Sequence, residues 1–206
     1  MYDYLVVGCG LFGATFARQA TDRGKKCLVI DKRGHIGGNC FTKKKLGIDV
    51  HVYGPHIFHT NSQSIWDYIN QFTDFNNFTY RPKVNYKNQI YSFPINLMTL
   101  YQVCGASTPS EAKVYLDSVK IHNESPKNLE EWILSQVGKE LYEKFIYGYT
   151  YKQSNTDPKN LSASIIKRLP IRLTYDDNYF NDKYQGIPTE GYSQIFKNML
   201  EGIPVE

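Results

Sequence analysis

The sequence predicts an α/β fold. A β-branched and aromatic run at residues 2–7 ends at a glycine-rich turn, and apolar residues then recur at helical spacing at Ala14, Phe16, Ala17 and Ala20. A second strand is predicted at 26–30, where it leads into Asp31. Helix caps and helical spacing dominate later, from about residue 96 to residue 148. We therefore expect a strand–helix–strand unit at the start of the chain and a small helical domain inserted after it.

The glycine-rich turn has the spacing of a dinucleotide-binding motif. Gly8 permits the tight turn, Gly10 lets a pyrophosphate approach the backbone, and Gly13 lets the helix pack close to the strand. The phosphates would meet free N–H groups at the start of the helix. Asp31 can accept hydrogen bonds from ribose hydroxyls at the end of the second strand. The pattern predicts a Rossmann-like domain that binds a dinucleotide.

A second glycine pair indicates which dinucleotide is bound. Five residues separate Asp31 from Gly37 and Gly38, and Asn39 follows. This pattern resembles the extended fingerprint of FAD-binding proteins of the glutathione-reductase and amine-oxidase type. A second glycine pair allows another backbone segment to approach the cofactor. The sequence therefore favours FAD over NAD.

The middle of the chain contains several local structure signals. Asn61 or Ser62 can cap a helix whose residues Ile65, Ile69 and Phe72 share one face with Trp66 beside them, which predicts a core position for this face. A hairpin turn is predicted at Lys87 and Asn88. Helix caps are predicted at Thr108, with Pro109 and Glu111 after it, and at Asn128, and a short helix is expected between Gly138 and Gly148. A final helix near residues 192–200 is expected to pack on the cofactor domain.

Charge and composition exclude several classes of partner. The net charge is only +4, and the basic runs at 23–26 and 43–45 are short, whereas nucleic acid binding requires a concentrated basic surface. The four cysteines form no CxxC pair and are interpreted as reduced thiols of a cytoplasmic protein. No signal peptide or membrane-spanning apolar run is present, so no membrane partner is expected.

Three of the five histidines lie within nine residues, namely His51, His56 and His59. They could indicate a metal site, but no cysteine or carboxylate cluster supplies further ligands at a familiar spacing. No metal is therefore predicted. An acid/base role stays open, because histidine titrates near neutral pH.

Several motifs along almost the whole chain resemble one family. They are the glycine turn at 8–13, DKRGHIGGN at 31–39, YGPHIFHTN at 53–61, IKRLP at 166–170, and NYF at 178–180 with YQGIP at 184–188. In this order they resemble the bacterial UDP-galactopyranose mutases. Members of that family are longer, so the resemblance implies that this chain matches their N-terminal portion only.

The resemblance implies a flavin-dependent isomerase that interconverts UDP-galactopyranose and UDP-galactofuranose for cell-surface polysaccharide biosynthesis. It implies reduced FAD as the cofactor, with attack of flavin N5 on the anomeric carbon and an N5–sugar adduct as intermediate. A homodimer is implied for a full-length protein. Further residues of the diphosphate site would lie beyond Glu206, so this 206-residue chain is expected to be catalytically incomplete.

The resemblance also assigns roles to individual residues. The catalytic residues are His59, beside the flavin ring, and Arg168, whose guanidinium would hold the diphosphate. His51 is expected to be structural. The cofactor-binding residues are Gly8, Gly10, Phe12, Gly13, Asp31, Lys32, Gly38, Asn39, His56 and Ile57. The substrate-binding residues, for UDP-galactose, are Tyr80, Phe145, Tyr149, Thr150, Ser154, Arg168 and Tyr179.

Two of these positions depart from the family pattern. Ser154 stands where the family has a tryptophan that stacks on the uridine, and Tyr80 stands where an asparagine is common near the sugar. Loss of a stacking partner could weaken nucleotide binding by about 1 to 3 kcal/mol. A mutase for UDP-N-acetylgalactosamine is therefore an alternative. Two others are an inactive module that binds FAD or a nucleotide, and an FAD-dependent oxidoreductase of the amine-oxidase type.

The predicted organisation has five segments. Residues 1–78 form the Rossmann-like FAD-binding domain, and 79–95 form a hairpin of an antiparallel substrate-side sheet. Residues 96–150 form the helical domain, and 151–190 form a mobile loop with further substrate-side strands. Residues 191–206 contain the helix that returns to the FAD-binding domain.

Overall fold

The computed structural model describes residues 1–167 and 169–206, so Arg168 lies outside the described residues. The chain divides into two compact units, unit 1 (Met1–Thr79 and Asp182–Glu206) and unit 2 (Tyr80–Asn181). The strands are β1 (Tyr4–Val7), β2 (Cys27–Ile30), β3 (Thr42–Lys45), β4 (Ile48–His51), β5 (Phe58–Thr60), β6 (Lys83–Tyr86), β7 (Gln89–Ser92) and β8 (Tyr184–Gly186). The helices are α1 (Leu11–Asp22), α2 (Gln63–Ile69), α3 (Leu97–Cys104), α4 (Pro109–Val119), α5 (Leu129–Tyr142), α6 (Gly148–Ser154) and α7 (Tyr192–Met199). A π-helical turn, Glu143–Tyr147, joins α5 to α6.

Unit 1 opens with the predicted strand–helix–strand motif. Strands β1 and β2 are parallel, with Tyr4 opposite Cys27 and Val7 opposite Ile30. The last residues of the chain extend this sheet on the other side of β2, because the Val29 amide donates to the Pro204 carbonyl at 3.0 Å. The α/β fold class predicted from the sequence is therefore confirmed. The segment beside β2 is an addition that the sequence did not predict.

The core of unit 1 forms between α1 and α7. The small side chains of Ala14 and Ala17 on α1 are fully buried, as are Phe196 and Met199 on α7. Small residues on one helix let the larger ones of the other pack closely against it. The final helix predicted near residues 192–200 thus packs on the glycine-turn domain.

Helix α2 begins where the sequence predicted, and its predicted core face differs from the observed one at Ile65 only. The Ser62 side chain caps it by accepting from the Ile65 amide. Ile69 is buried, whereas Ile65 is 51% exposed, so its predicted core position is wrong. Trp66 and Phe72 pack against the core as predicted, and the Trp66 ring is stacked on Tyr184 at a centroid distance of 5.2 Å.

Two hairpins and one long-range strand pair complete the β structure. Strands β3 and β4 form an antiparallel hairpin, and β5 pairs antiparallel with β8, so that Phe58 lies opposite Gly186. In unit 2, β6 and β7 form the predicted hairpin. Its turn residues, Lys87 and Asn88, have φ values of 49° and 65°, as the favoured two-residue hairpin turn requires.

Unit 2 is mainly helical, and its core contains side chains from α3, α5 and the π-helical turn. Leu100, Leu129, Ile133 and Leu141 are at most 1% exposed. Thr108 and Glu111 form the predicted capping box of α4, and Asn128 caps α5. No helix within residues 1–167 and 169–206 has both the length and the apolar character needed to cross a membrane.

The two glycines expected to bracket a short helix behave differently. Gly138 breaks α5, since its φ of 75° is left-handed and a Cβ atom there would overlap the Val119 carbonyl oxygen. Gly148 has helical dihedrals, with φ −63° and ψ −41°, and the chain stays helical through it to Ser154. The helix end predicted at Gly148 is therefore wrong, because nothing at this glycine requires a conformation that other residues avoid.

Candidate functional site

The first candidate site lies in unit 1 at the glycine turn. A Cβ atom at Gly13 would overlap the Gly8 carbonyl oxygen, so close packing of α1 on the turn requires glycine there. The second glycine pair reaches the same turn. A Cβ atom at Gly38 would lie 3.0 Å from Cα of Gly10, and the Gly37 amide donates to the Cys9 carbonyl at 2.8 Å. The two glycine motifs predicted to approach one cofactor are thus in contact with each other.

The start of α1 has the features of an anion-binding site. Its N-cap residue, Gly10, supplies no side-chain hydrogen bond, and the first turn carries no acidic residue. The N–H groups of the first turn therefore have no capping side chain among the described residues. Backbone N–H groups and the helix dipole at such an end favour phosphate. This end of α1 is suited to the pyrophosphate of a dinucleotide.

A cavity of about 630 Å³ adjoins this helix start. It is lined by Val7, Gly8, Ile30, Asp31, Lys32, Arg33, Gly38 and Asn39. Five of these residues were predicted to bind the cofactor, and the structure brings them together. Phe12, another predicted contact, is 89% exposed at the start of α1.

Asp31 is held in place by the backbone of two neighbouring loops. Its carboxylate accepts from the Cys9 amide at 2.7 Å and from the Arg33 amide at 3.0 Å. These backbone hydrogen bonds, first that of Cys9 and then that of Arg33, lower the pKa of the carboxyl group. Asp31 is therefore an anionic acceptor at neutral pH, which suits the ribose hydroxyls proposed for it.

Arg33 is a residue of this site that the sequence reasoning missed. Its Nη2 donates to Oδ1 of Asn39 at 2.9 Å, and its guanidinium carbon lies 4.6 Å from the centre of the Tyr53 ring. Its Nη1 is buried and has no hydrogen-bond partner among the described residues. An unsatisfied buried donor on the wall of a cavity fits a polar cofactor. The sequence feature that could have indicated a role in this site is the position of Arg33, two residues after Asp31.

The three clustered histidines have separate partners. Nε2 of His56 lies 2.8 Å from the Asn39 carbonyl oxygen, and the His56 amide donates to Nδ1 of His51 at 3.1 Å. Burial, followed by the neighbouring His56, lowers the pKa of His51. His59 pairs instead with Asp182, with Nδ1 and Oδ2 2.5 Å apart. Within the part of the chain that the structure describes, no group of three or more His, Cys, Asp or Glu side chains could hold a metal.

The second candidate site is a cavity of about 1120 Å³ inside unit 2. Its wall includes all the predicted substrate residues that the structure describes, namely Tyr80, Phe145, Tyr149, Thr150, Ser154 and Tyr179. These six residues come from both the first and the last part of the unit 2 sequence. The remaining predicted residue, Arg168, lies outside the described residues. Two lysines on the wall are already paired, Lys83 with Asp177 at 2.9 Å and Lys144 with Glu140 at 2.7 Å.

Aromatic residues form much of this wall. Phe145 is buried, whereas Tyr149 is 69% exposed. The rings of Tyr80 and Tyr179 lie 5.2 Å apart, and burial raises the pKa of Tyr80. Aromatic faces and a few polar groups around a large cavity are typical of sites for nucleotides and other small molecules.

The π-helical turn and Tyr142 are features of this cavity that the sequence reasoning missed. All five residues of Glu143–Tyr147 line it, and π-turns occur often at functional sites. Tyr142 is only 4% exposed, and its hydroxyl forms no hydrogen bond of good geometry within the described residues. Burial, followed by the nearby carboxylate of Glu130, raises the pKa of this hydroxyl, so it stays protonated at neutral pH.

Ser154 has a local structural role. Its hydroxyl donates to the Thr150 carbonyl at 2.8 Å and accepts from the Thr156 amide at 3.2 Å. These bonds close α6 just before Asn155, whose φ of 49° is left-handed. The serine hydroxyl therefore ends the helix at the cavity wall, where it offers no ring for stacking.

Comparisons with known proteins match both the glycine-turn region and the C-terminal part of the chain. A family model described as UDP-galactopyranose mutase matches residues 144–206, and one described as an NAD(P)-binding Rossmann-like domain matches residues 6–72. A dTDP-fucopyranose mutase of Escherichia coli is 45% identical over 100% of this chain and 56% of its own length. A probable UDP-galactopyranose mutase of Klebsiella pneumoniae is 42% identical over 99% of this chain and 55% of its own length.

A solved structure of a reduced UDP-galactopyranose mutase shares the fold. The TM-score is 0.76 at 17% identity, and the match covers 100% of this chain and 48% of that one. The chain spans about half the length of the curated relatives that it matches. These matches confirm the resemblance found in the sequence: the chain is similar to UDP-galactopyranose mutases over about half of their length.

Proposed function

We propose that this chain supplies the flavin-binding and nucleotide-binding parts of an isomerase that interconverts UDP-galactopyranose and UDP-galactofuranose. The observation that carries the proposal is the cavity of unit 2. Six residues assigned to the nucleotide sugar from sequence resemblance alone line one cavity, although they are spread from Tyr80 to Tyr179. Such convergence supports one binding site for the nucleotide sugar.

The cofactor proposed is FAD, and the residues of unit 1 fit it. The Gly38 backbone approaches Gly10 so closely that a Cβ atom at Gly38 would lie 3.0 Å from Cα of Gly10, and the uncapped start of α1 suits a pyrophosphate. Asp31 would accept from the ribose, and Arg33 would donate its unsatisfied Nη1. A bound reduced flavin supplies the nucleophile of this chemistry. The protein's own task is to bind and orient the nucleotide sugar and to stabilise the negative diphosphate.

The nucleotide site can be tested with two tyrosines of α6. Tyr149 lines the cavity, whereas Tyr151 does not, although both are exposed aromatic residues of the same short helix. Tyr149→Ala is expected to weaken UDP binding by about 1 to 3 kcal/mol because a base loses a stacking surface. Tyr151→Ala is the matched control and should leave the affinity unchanged. Isothermal titration of each purified variant with UDP measures the effect.

Equal affinities for the two variants would contradict the proposed site. The reaction is tested separately, by incubating the chain with FAD, dithionite and UDP-galactofuranose and measuring UDP-galactopyranose by chromatography. A protein that binds neither FAD nor UDP would overturn the proposal.

A second candidate is a dTDP-fucopyranose mutase. It is supported by the 45% identity to the protein of that name from Escherichia coli. The two candidates differ in both base and sugar, so UDP and dTDP affinities of the same preparation discriminate between the nucleotides. Interconversion of the pyranose and furanose forms of each nucleotide sugar then discriminates between the reactions. A mutase for UDP-N-acetylgalactosamine is tested in the same assay with that substrate.

Location and assembly are also proposed. All four cysteines, Cys9, Cys27, Cys40 and Cys104, are free thiols, which supports a reducing compartment such as the cytoplasm. We propose a homodimer for a longer protein and a role in cell-surface polysaccharide biosynthesis, on the basis of the family resemblance. Neither nucleic acid nor a membrane is proposed as a partner.

A further inference from the structure

A histidine–carboxylate pair in unit 1 joins two segments that are far apart in the sequence. His59 lies on β5, and Asp182 lies two residues before β8, the strand that pairs with β5. Nδ1 of His59 is 2.5 Å from Oδ2 of Asp182. The side chains are partly buried, with 39% and 23% of their surface exposed. A short pair at this burial restricts the orientation of the imidazole far more than a contact on an open surface.

Asn61 holds the carboxylate of this pair from the other side. Its Nδ2 donates to Oδ1 of Asp182, and its Oδ1 accepts from the Lys183 amide at 2.9 Å. Both oxygens of Asp182 thus have a donor, and the Asn61 amide is oriented by the backbone. The amide cannot flip without losing the bond to Lys183, so the arrangement is directional.

The chemistry of the pair decides which nitrogen of His59 carries the proton. A carboxylate can only accept, so Nδ1 of His59 must donate. In the neutral imidazole the other nitrogen, Nε2, is then an acceptor. We infer that Asp182 and Asn61 are positioning residues that fix His59 as the Nδ1–H tautomer, so that Nε2 is the acceptor it offers to an N–H group of a reduced flavin. The part of this inference that concerns flavin rests on the proposed function.

The tautomer can be measured without any cofactor. Long-range ¹H–¹⁵N NMR correlation, through the two-bond couplings between the ring C–H protons and the nitrogens of ¹⁵N-labelled histidine, distinguishes a protonated from an unprotonated ring nitrogen at about pH 9, where imidazoles are neutral. His59→Gln assigns the signal. His122 serves as an internal reference, because its Nε2 lies 3.5 Å from Glu124 but both side chains are 86% exposed. We expect His59 to be predominantly the Nδ1–H form and His122 to show a mixture of tautomers.

Asp182→Asn tests whether the carboxylate of Asp182 is the cause of the His59 tautomer. Asn61 would keep donating to the oxygen of the new amide, which turns its NH₂ group toward His59 and makes Nδ1 an acceptor. The predominant tautomer of His59 should then change to Nε2–H. Asp74→Asn is the matched control, since it makes the same change elsewhere in unit 1, and it should leave the His59 signal unchanged.

A further variant protects the test if Asp182→Asn does not fold. Asn61→Ala keeps the carboxylate but removes the amide that orients it, and a lower Nδ1–H fraction is expected. A wild-type His59 that is mainly Nε2–H would overturn the inference, as would a folded Asp182→Asn protein whose His59 tautomer is unchanged.

The flavin part is tested by kinetics. In a mutase-active preparation, Asp182→Asn should lower kcat while FAD affinity stays the same. Asp74→Asn should change neither kcat nor FAD affinity. An unchanged kcat in Asp182→Asn would overturn the link to flavin. A wild type that binds neither FAD nor UDP would instead count against the proposed function, while the NMR result would still decide the tautomer.

Discussion

Gly10 and Gly13 belong to one turn, yet a methyl group added at each would meet different surroundings. At Gly13 it would overlap the Gly8 carbonyl oxygen, so the turn or helix α1 must shift. At Gly10 the nearest atom is Cα of Gly38, 3.9 Å away, which is ordinary contact. Gly13 is therefore constrained by the fold, and Gly10 by the space left for a ligand.

We predict opposite effects of the two alanine substitutions. Gly13→Ala should lower the free energy of unfolding by about 1 to 3 kcal/mol, because of overpacking. Gly10→Ala should change stability little but weaken FAD binding by about tenfold or more, equivalent to about 1.4 kcal/mol. Urea unfolding without cofactor and a flavin fluorescence titration measure the two quantities. Unimpaired FAD binding by Gly10→Ala would contradict the assignment of this space to the cofactor.

At the residue scale, sequence motifs pointed to five residues that line the unit 1 cavity and six that line the unit 2 cavity. The glycines, Asp31 and the six described residues of the unit 2 cavity carry their signal in short motifs. Arg33, Tyr142 and Asp182 were missed for a common physical reason. Their importance comes from an unsatisfied buried atom or from a partner more than a hundred residues away, as Asp182 has in His59. The spacing of nearby residues in the sequence reveals neither an unsatisfied buried atom nor a distant partner.

At the scale of elements, Gly138 and Gly148 show how context decides the role of a residue. Gly138 has a positive φ, and a Cβ atom there would overlap the Val119 backbone. Gly148 has helical dihedrals and open space around it. Both looked alike in the sequence. Only the packing of α4 on α5, which brings Val119 to Gly138, distinguishes them.

Alanine substitutions at Gly138 and Gly148 give a matched test of their effects on protein stability. Gly138→Ala should destabilise the protein by about 1 to 3 kcal/mol or more, through overpacking and backbone strain. Gly148→Ala should stabilise it by about 0.4 to 1 kcal/mol, because alanine favours the helical state. Denaturant unfolding followed by circular dichroism measures both. A neutral Gly138→Ala protein would show that α5 can straighten at this point.

The π-helical turn is another feature of this scale that the sequence did not predict. Residues 143–147 have an ordinary helical composition, and the extra residue per turn becomes visible only in the hydrogen bonds. Capping residues, in contrast, act locally. The caps at Ser62, Thr108 and Asn128 were therefore predicted correctly.

At the scale of the whole molecule, strand β1 has an exposed apolar surface. Leu5 is 61% exposed and Val7 is 78% exposed, and β2 is the sole partner of β1 among the described residues. An edge strand with apolar side chains is a site of association between chains. Leu46 is even more exposed, at 94%, but it lies in the turn of a hairpin.

We therefore predict that this 206-residue chain associates with itself as its concentration rises. Leu5→Lys should reduce the association, because a charged residue on an edge strand opposes pairing. Leu46→Lys is the control and should have little effect, since single exposed apolar residues are common. Light scattering coupled to size-exclusion chromatography measures the mass. A sharp monomer peak for the wild type at every concentration would contradict the prediction.

The sequence by itself determined the strand–turn–helix unit, the dinucleotide motif, most helix starts and the family resemblance. These depend on local dihedral preferences, capping and short motifs, which a few neighbouring residues fix. The tertiary structure decided that Ile65 is exposed, that the chain stays helical through Gly148, and that residues 204–206 complete the sheet beside β2. It also decided that Asp182 meets His59 and that six distant side chains share one cavity. These outcomes depend on contacts between segments far apart in the chain, and no local pattern specifies such contacts.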